Sequence, residues 1–144
     1  MARRRVVSPG SLLLDSEGLV KLALGASNAR AYFESARARQ ARVAVSALTL
    51  TEVLRGKASD AAIHRVLTRI VVVAVTPELA RQAGELLGST GLSGHSHAID
   101  AVVAATALAL EGPVMLLTSD PKDLARLVGE ATRSGQERVT VVHV

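Results

Sequence analysis

Residues 12–16 read Leu12-Leu13-Leu14-Asp15-Ser16, three leucines running straight into a carboxylate, with Pro9-Gly10 in front and Gly18 just behind. A short unbroken apolar run bounded by breakers marks a strand buried on both faces, as in a parallel sheet. An ionised aspartate at the end of such a strand is costly unless a charge or a hydrogen bond meets it. In open α/β sheets the carboxyl end of a strand is where ligands bind. Asp15 is therefore the first candidate for chemistry, and the rest of the chain is read for carboxylates that reach the same place.

Outward from this stretch, helices and strands alternate. Residues 16–24 read as a short helix ended by Gly25, and Ser27-Asn28 opens another through about Arg39. Residues 43–46 are β-rich, 47–56 carry helical spacing, and Ser59-Asp60 is placed to cap a helix to about Thr68. The run Ile70 to Val75 is the clearest strand by composition, and Thr76-Pro77-Glu78 is a strong start for a helix to Leu87. Residues 88–96, with three glycines and His95, read as a flexible loop before an Ala-rich helix from about His97 to Leu110. Residues 114–118 form a strand, Asp120-Pro121 opens a helix to about Thr132, and Gly135 precedes a last strand at 139–142. This alternation predicts a mostly parallel sheet covered on both faces, in one domain spanning 1–144.

Composition narrows the function. The 144 residues are 49% apolar and 21% charged, which suits a folded domain with a real core. That core has one Phe, one Tyr and no Trp, so base stacking on aromatic platforms is nearly excluded. Without cysteine there are neither disulfides nor thiolate metal sites. Met1-Ala2-Arg3-Arg4-Arg5 is basic, but the apolar runs behind it are too short for a signal peptide or a membrane span, and a cytoplasmic protein is expected. Seventeen Lys and Arg against thirteen Asp and Glu leave +4, which favours an anionic partner once the acids cluster in one site.

Four carboxylates sit at matching ends of elements: Asp15, Glu52, Asp100 and Asp120, with Asp123 close behind the last. Each has a plain reading too. Asp15 can cap the following helix, Glu52 can pair with Arg55, and Asp100 can favour a helix's positive end. Asp120-Pro121-Lys122-Asp123 has the form of an N-cap. Converging carboxylates, however, require a cation, and an all-oxygen set points to Mg²⁺ or Mn²⁺. The matching chemistry is phosphodiester hydrolysis by a water that one ion or a pair activates, with Ser16 and Thr118-Ser119 orienting a carboxylate or the water. The basic surface would hold the polyanion.

Taken in order, Asp15-Ser16-x-x-Leu19, Thr51-Glu52-Val53, Asp100-x-x-x-Ala104-Ala105-Thr106-Ala107 and Thr118-Ser119-Asp120-x-x-Asp123 resemble the four motifs of the PIN domain, and more narrowly those of VapC-type toxins. The resemblance covers essentially the whole chain. It implies a three-layer α/β/α sandwich with a five-stranded parallel sheet and a Mg²⁺-dependent endoribonuclease acting on tRNA, rRNA or mRNA. It further implies frequent homodimers and a small antitoxin inserted into the site. The family's catalytic acids fall on Asp15, Glu52, Asp100 and Asp120, with Asp15, Asp100 and Asp120 as metal ligands and Ser16, Thr118 and Asp123 in support. Leu124 stands where the family usually has an aromatic residue. The Arg3–Arg5 extension has no family requirement. His95 and His97 have no obvious counterpart and are read as exposed on a glycine-rich loop.

Other functions remain beside this one. The fold can serve as an inactive RNA- or protein-binding module whose acids only cap helices. A different metal-dependent enzyme, a DNA nuclease or a phosphatase, is the third reading, although Glu17 stands where a phosphatase with a nucleophilic aspartate has its second Asp. No Walker-type glycine loop is present, which removes an NTPase. An antitoxin would place an Arg or Lys among the carboxylates and lie along helices at 16–24 and 47–69; the exposed part of the 77–87 helix is the dimer contact that the family resemblance implies.

Overall fold

The computed structural model describes residues 8–132 and 138–144. Arg3–Arg5 and Gly135 lie outside them. The leucine run is strand β1 (Ser11–Leu14), with all four residues buried. Side chains alternate across a strand, so Leu13 enters one core while Leu12 and Leu14 enter another. The strand is bounded at its start by Gly10, which has φ +83° and leaves no room for a Cβ against the Pro113 carbonyl.

β1 is the centre of a five-stranded sheet. β2 (Arg42–Ser46) and β4 (Val114–Thr118) flank it, with β3 (Val71–Val73) outside β2 and β5 (Val139–His143) outside β4. Every pairing is parallel. Helices α1 (Ser16–Ala23), α2 (Ser27–Ala38) and α4 (Ala61–Leu67) pack on the face of Leu12 and Leu14 through Leu19, Leu22, Phe33 and Ile63. Helices α5 (Pro77–Thr90), α6 (Gly94–Ala109) and α7 (Pro121–Thr132) pack on the face of Leu13 through Leu79, Val103 and Leu127. The three-layer α/β/α sandwich is thus built by one apolar run serving two cores. Thr76 caps α5 through its hydroxyl with Pro77 at the first helical position, as its sequence dictates.

Three elements differ from expectation. The valine run at 70–75 contributes only Val71–Val73 to the sheet, as an edge strand whose Val71 and Val72 are exposed. Composition overstated it because an edge strand has one neighbour to fix its length. Residues 88–96 are not a loop: α5 runs through Thr90 and α6 begins at Gly94. Only Gly91 takes the left-handed conformation, φ +70°, that ends a helix. Glycine's helix cost of about 1 kcal/mol is outweighed by Leu86, Leu87 and Leu92 packing on the core. Residues 47–56 form a 3₁₀ turn (Ala47–Thr49) and one short helix, α3 (Leu50–Val53).

α1 lies unusually close to β4. A Cβ built on Gly18 would sit 2.7 Å from the Leu117 carbonyl oxygen, a backbone atom that cannot swing aside. Gly18→Ala is therefore expected to lift α1 from the sheet at a cost of about 2 kcal/mol, read as a lower denaturation midpoint. The Gly18 N–H also holds Asp15, so the Asp15 carboxylate should lose its anchor as well. A variant as stable as the parent would show that the helix yields freely.

Candidate active site

From β1 the chain builds the sheet to one side through β2 and β3, then returns to build the other side through β4 and β5. The carboxyl ends of β1 and β4 therefore form the switch point of the sheet, where ligands of open α/β folds bind. Asp15 stands directly there. Its backbone N–H donates to the Leu117 carbonyl at 3.1 Å, which sets it beside Thr118, the buried last residue of β4. The Thr118 carbonyl is held in turn by the Val144 N–H at 2.9 Å.

Asp15 is also the N-cap of α1, its Oδ1 accepting from the Gly18 N–H at 2.7 Å. Asp15 thus caps α1 while standing at the carboxyl end of β1. Burial pushes its carboxyl above the ordinary value; the Thr118 hydroxyl and the Gly18 N–H pull it back, while Glu17 and Asp100 push it further up. Glu52, on α3, is raised by burial and then by the charge of Asp100, against the Ser16 hydroxyl, which lowers it. Asp100, on α6, is raised by burial; His97 opposes this, and Asp123 and Asp120 add to it. Asp15, Glu52 and Asp100 therefore repel one another from three separate elements. The Thr118 hydroxyl lies beside Asp15 and the Ser16 hydroxyl beside Glu52.

The expected Glu52–Arg55 pair does not form. The Arg55 guanidinium instead donates to the backbone carbonyls of Thr51, Glu52 and Leu54, closing off the end of α3. Asp60 likewise does not cap α4. It is buried and accepts the N–H groups of Arg55 and Gly56 at 2.9 and 2.8 Å, and that of Lys57 at 3.4 Å. Those bonds, the one from Arg55 foremost, lower its pKa. Its work is to hold the loop behind Glu52.

A compact set of possible ligands includes His97, a residue whose sequence context suggests solvent exposure. His97 lies within α6, not on a loop, and its side chain is 24% exposed. Its Nδ1 is 3.5 Å from Asp100 Oδ2 and 3.6 Å from Asp123 Oδ2. Among the described residues, His97, Asp100 and Asp123 are the group whose donor atoms all lie within 4.8 Å of one another. Asp123 approaches this set more closely than the exposed Asp120, whose N–H bonds the Thr118 hydroxyl at 3.1 Å. The signal for His97 was its spacing from Asp100, one helical turn apart on the same face. His95, two residues earlier, is exposed as expected.

These residues fit a divalent cation. Burial first, and then one another's charge, hold the carboxyls of Asp15, Glu52 and Asp100 above the ordinary value, which a bound cation would reverse. His97 Nδ1 is buried with no hydrogen-bond partner, a state that buried polar atoms rarely keep. Oxygen donors of this kind suit Mg²⁺ and Mn²⁺.

A second feature lies on the α1–α2–α4 face, away from these acids. It is a cleft of about 500 Å³ lined by Leu22, Phe33 and Val66 and rimmed by Arg30, Arg37 and Arg69. The guanidinium groups of Arg37 and Arg69 lie 5.7 and 5.1 Å from the Phe33 ring centre. Among the described residues no helix is long and apolar enough to cross a membrane.

Comparison with known proteins agrees with this architecture. The family model described as PIN domain matches residues 12–129. Among solved structures, VapBC2 from Rickettsia felis bound to a DNA fragment from its promoter is similar, with TM-score 0.68 and 18% identity over 93% of this chain and 98% of that chain. A toxin–antitoxin complex from Klebsiella pneumoniae is similar with TM-score 0.63 and 23% identity over 92% of this chain and 99% of that chain. No curated protein matches the sequence.

Proposed function

The chain belongs to the PIN domain family, and on that footing we propose that it is a VapC-type endoribonuclease, the toxin of a toxin–antitoxin pair, dependent on Mg²⁺ or Mn²⁺. The observation that carries this reading is the mutual repulsion of Asp15, Glu52 and Asp100, brought from three elements to the switch point of the sheet. Charges so arranged are a cost to the fold unless they serve a cation. Asp15, Asp100 and Asp120 are the proposed ligands, and Glu52 is the acid that would take or orient a proton of the attacking water. Ser16 and Thr118 fix the orientation of Glu52 and Asp15, and Asp123 approaches Asp100 across the α6–α7 contact, where its carboxylate can share the ion. An ion bound there would supply charge to the scissile phosphate and lower the pKa of a water. The remaining surface is left more basic than the net charge suggests, which favours a structured RNA as the polyanion.

A free nuclease of this kind needs a restraint, and the antitoxin is proposed to place an Arg or Lys among the carboxylates. The cleft beside α1, α2 and α4 is its proposed seat, because it joins apolar walls to an arginine rim. The exposed side of α5, carrying Glu78, Arg81 and Glu85, is the proposed homodimer contact.

The test is digestion of total cellular RNA by the purified, antitoxin-free protein, with Mg²⁺ and with EDTA. Discrete fragments that vanish in EDTA are expected, and their ends name the RNA. A folded protein that cuts nothing under either condition would move the function to a binding module in which the acids only cap and pack.

A further inference from the structure

We propose that His97 supplies a nitrogen ligand to the cation, through Nδ1, and that this donor shifts the site from Mg²⁺ towards Mn²⁺. The inference rests on the cation-dependent reading above and adds to it a ligand and a selectivity. Its first support is position. His97 and Asp100 are a helical turn apart on α6, and Asp123 reaches them from α7, so two elements aim three donors at one point.

Separation is the second support. Ligands about 2.1 Å from an octahedral ion lie about 3 Å apart, and Nδ1 stands 3.5 and 3.6 Å from the two carboxylate oxygens. Those distances are long for direct N–H···O bonds, yet they need little adjustment to share an ion. The third support is that Nδ1 is buried and has no hydrogen-bond partner. An unpartnered ring nitrogen facing two carboxylate oxygens is disfavoured until a cation arrives between them.

Imidazole is a ligand of first-row transition ions, whereas Mg²⁺ keeps to oxygen and water. A site with a nitrogen in it therefore favours Mn²⁺ more than its carboxylates alone would. The rival arrangement is an imidazolium that neutralises Asp100 and Asp123 and occupies the place of the ion.

The two are separated with the full-length, metal-stripped chain, titrated with Mn²⁺ and with Mg²⁺. Binding of Mn²⁺ is followed by electron paramagnetic resonance, and its nitrogen coupling by electron spin-echo modulation. The expected result is a nitrogen modulation in the parent that is lost in His97→Gln and kept in His95→Gln. His97→Gln should also bind Mn²⁺ about tenfold more weakly, with a smaller change for Mg²⁺. Bound Mn²⁺ without nitrogen modulation in the parent would overturn the inference and leave the carboxylate site standing. Tighter Mn²⁺ binding by His97→Gln would overturn it in favour of the imidazolium. Failure of the folded parent to bind either ion would overturn both this inference and the cation-dependent reading.

Discussion

Asp100→Asn is expected to lower RNA cleavage by about a thousandfold while leaving the fold intact. The charge of Asp100 acts on each of the other acids: it raises Asp15 and Glu52, and it is raised by Asp123 and Asp120. Asparagine keeps the shape and one oxygen but removes the charge that a cation needs. The same substitution should make the ion-free protein no less stable, and the sign follows from its pKa. The folded carboxyl titrates above its ordinary value of 3.8. Between those two values the folded chain holds a proton that the unfolded chain has released, so stability falls as pH rises. The protonated contribution is complete below 3.8 and is lost as pH climbs through the raised value. Asn imitates the neutral form at every pH, so thermal melts without divalent ion should show a shallower decline across the acidic range than the parent. Mg²⁺ or Mn²⁺ should raise the parent's melting temperature and move the variant's less. Parent-like cleavage by the variant would remove Asp100 from the chemistry.

Leu13→Ala is expected to cost about 3–4 kcal/mol, lowering the melting temperature by about 10 °C. Leu13 is 0% exposed in the central strand and packs among Ala44, Val103 and Leu116 beneath α5, α6 and α7. Strands flank it on both sides and helices cover it, so the site cannot collapse onto the vacated volume. Leu24→Ala is the control, because Leu24 is 78% exposed and should change stability by no more than about 0.5 kcal/mol. Urea titrations measure both, and an unchanged slope with a shifted midpoint is the expected form. A loss under about 1 kcal/mol for Leu13→Ala would contradict the close packing of this core.

The elements legible in the sequence are those whose cause is local. The leucine run, the Thr76-Pro77 start and the Ala-rich α6 each carry their own signal, and so did the acids at strand ends. What was misread depends on contacts distant in the chain. Gly88 and Gly94 are helical because Leu86, Leu87 and Leu92 are drawn into a core that no local pattern displays. The hydroxyl of Thr90, which bonds the Leu86 carbonyl at 2.8 Å, helps carry α5 two residues past Gly88. The 70–75 run reads as strong from its valines, but its length in the sheet is decided by β2. His97 was placed in solvent because its neighbours are glycine, serine and another histidine, while its second carboxylate partner arrives from a different helix. Asp60 resembled a cap because caps are common; its use of backbone donors upstream becomes visible only once the chain turns back at Gly56.

The burial of β1 on both faces has a further consequence. Strands that alternate polar and apolar residues are told by water which way to face; Leu12, Leu13 and Leu14 receive no such instruction. A slip of one residue against β2 or β4 would still bury a leucine in each core. The position along the sheet is fixed instead by the two ends of the run. Gly10 fits where any Cβ would strike Pro113, and Asp15 resists being drawn inward because an ionised carboxylate cannot be buried among leucines. The same side chain that is proposed to meet the cation is therefore the stop that keeps the central strand in step. Replacing it by an apolar residue would lengthen the slippery run and invite misalignment during folding, whereas an amide would keep the stop and remove only the charge. Alignment of the central strand and the proposed hold on the cation thus meet in one residue.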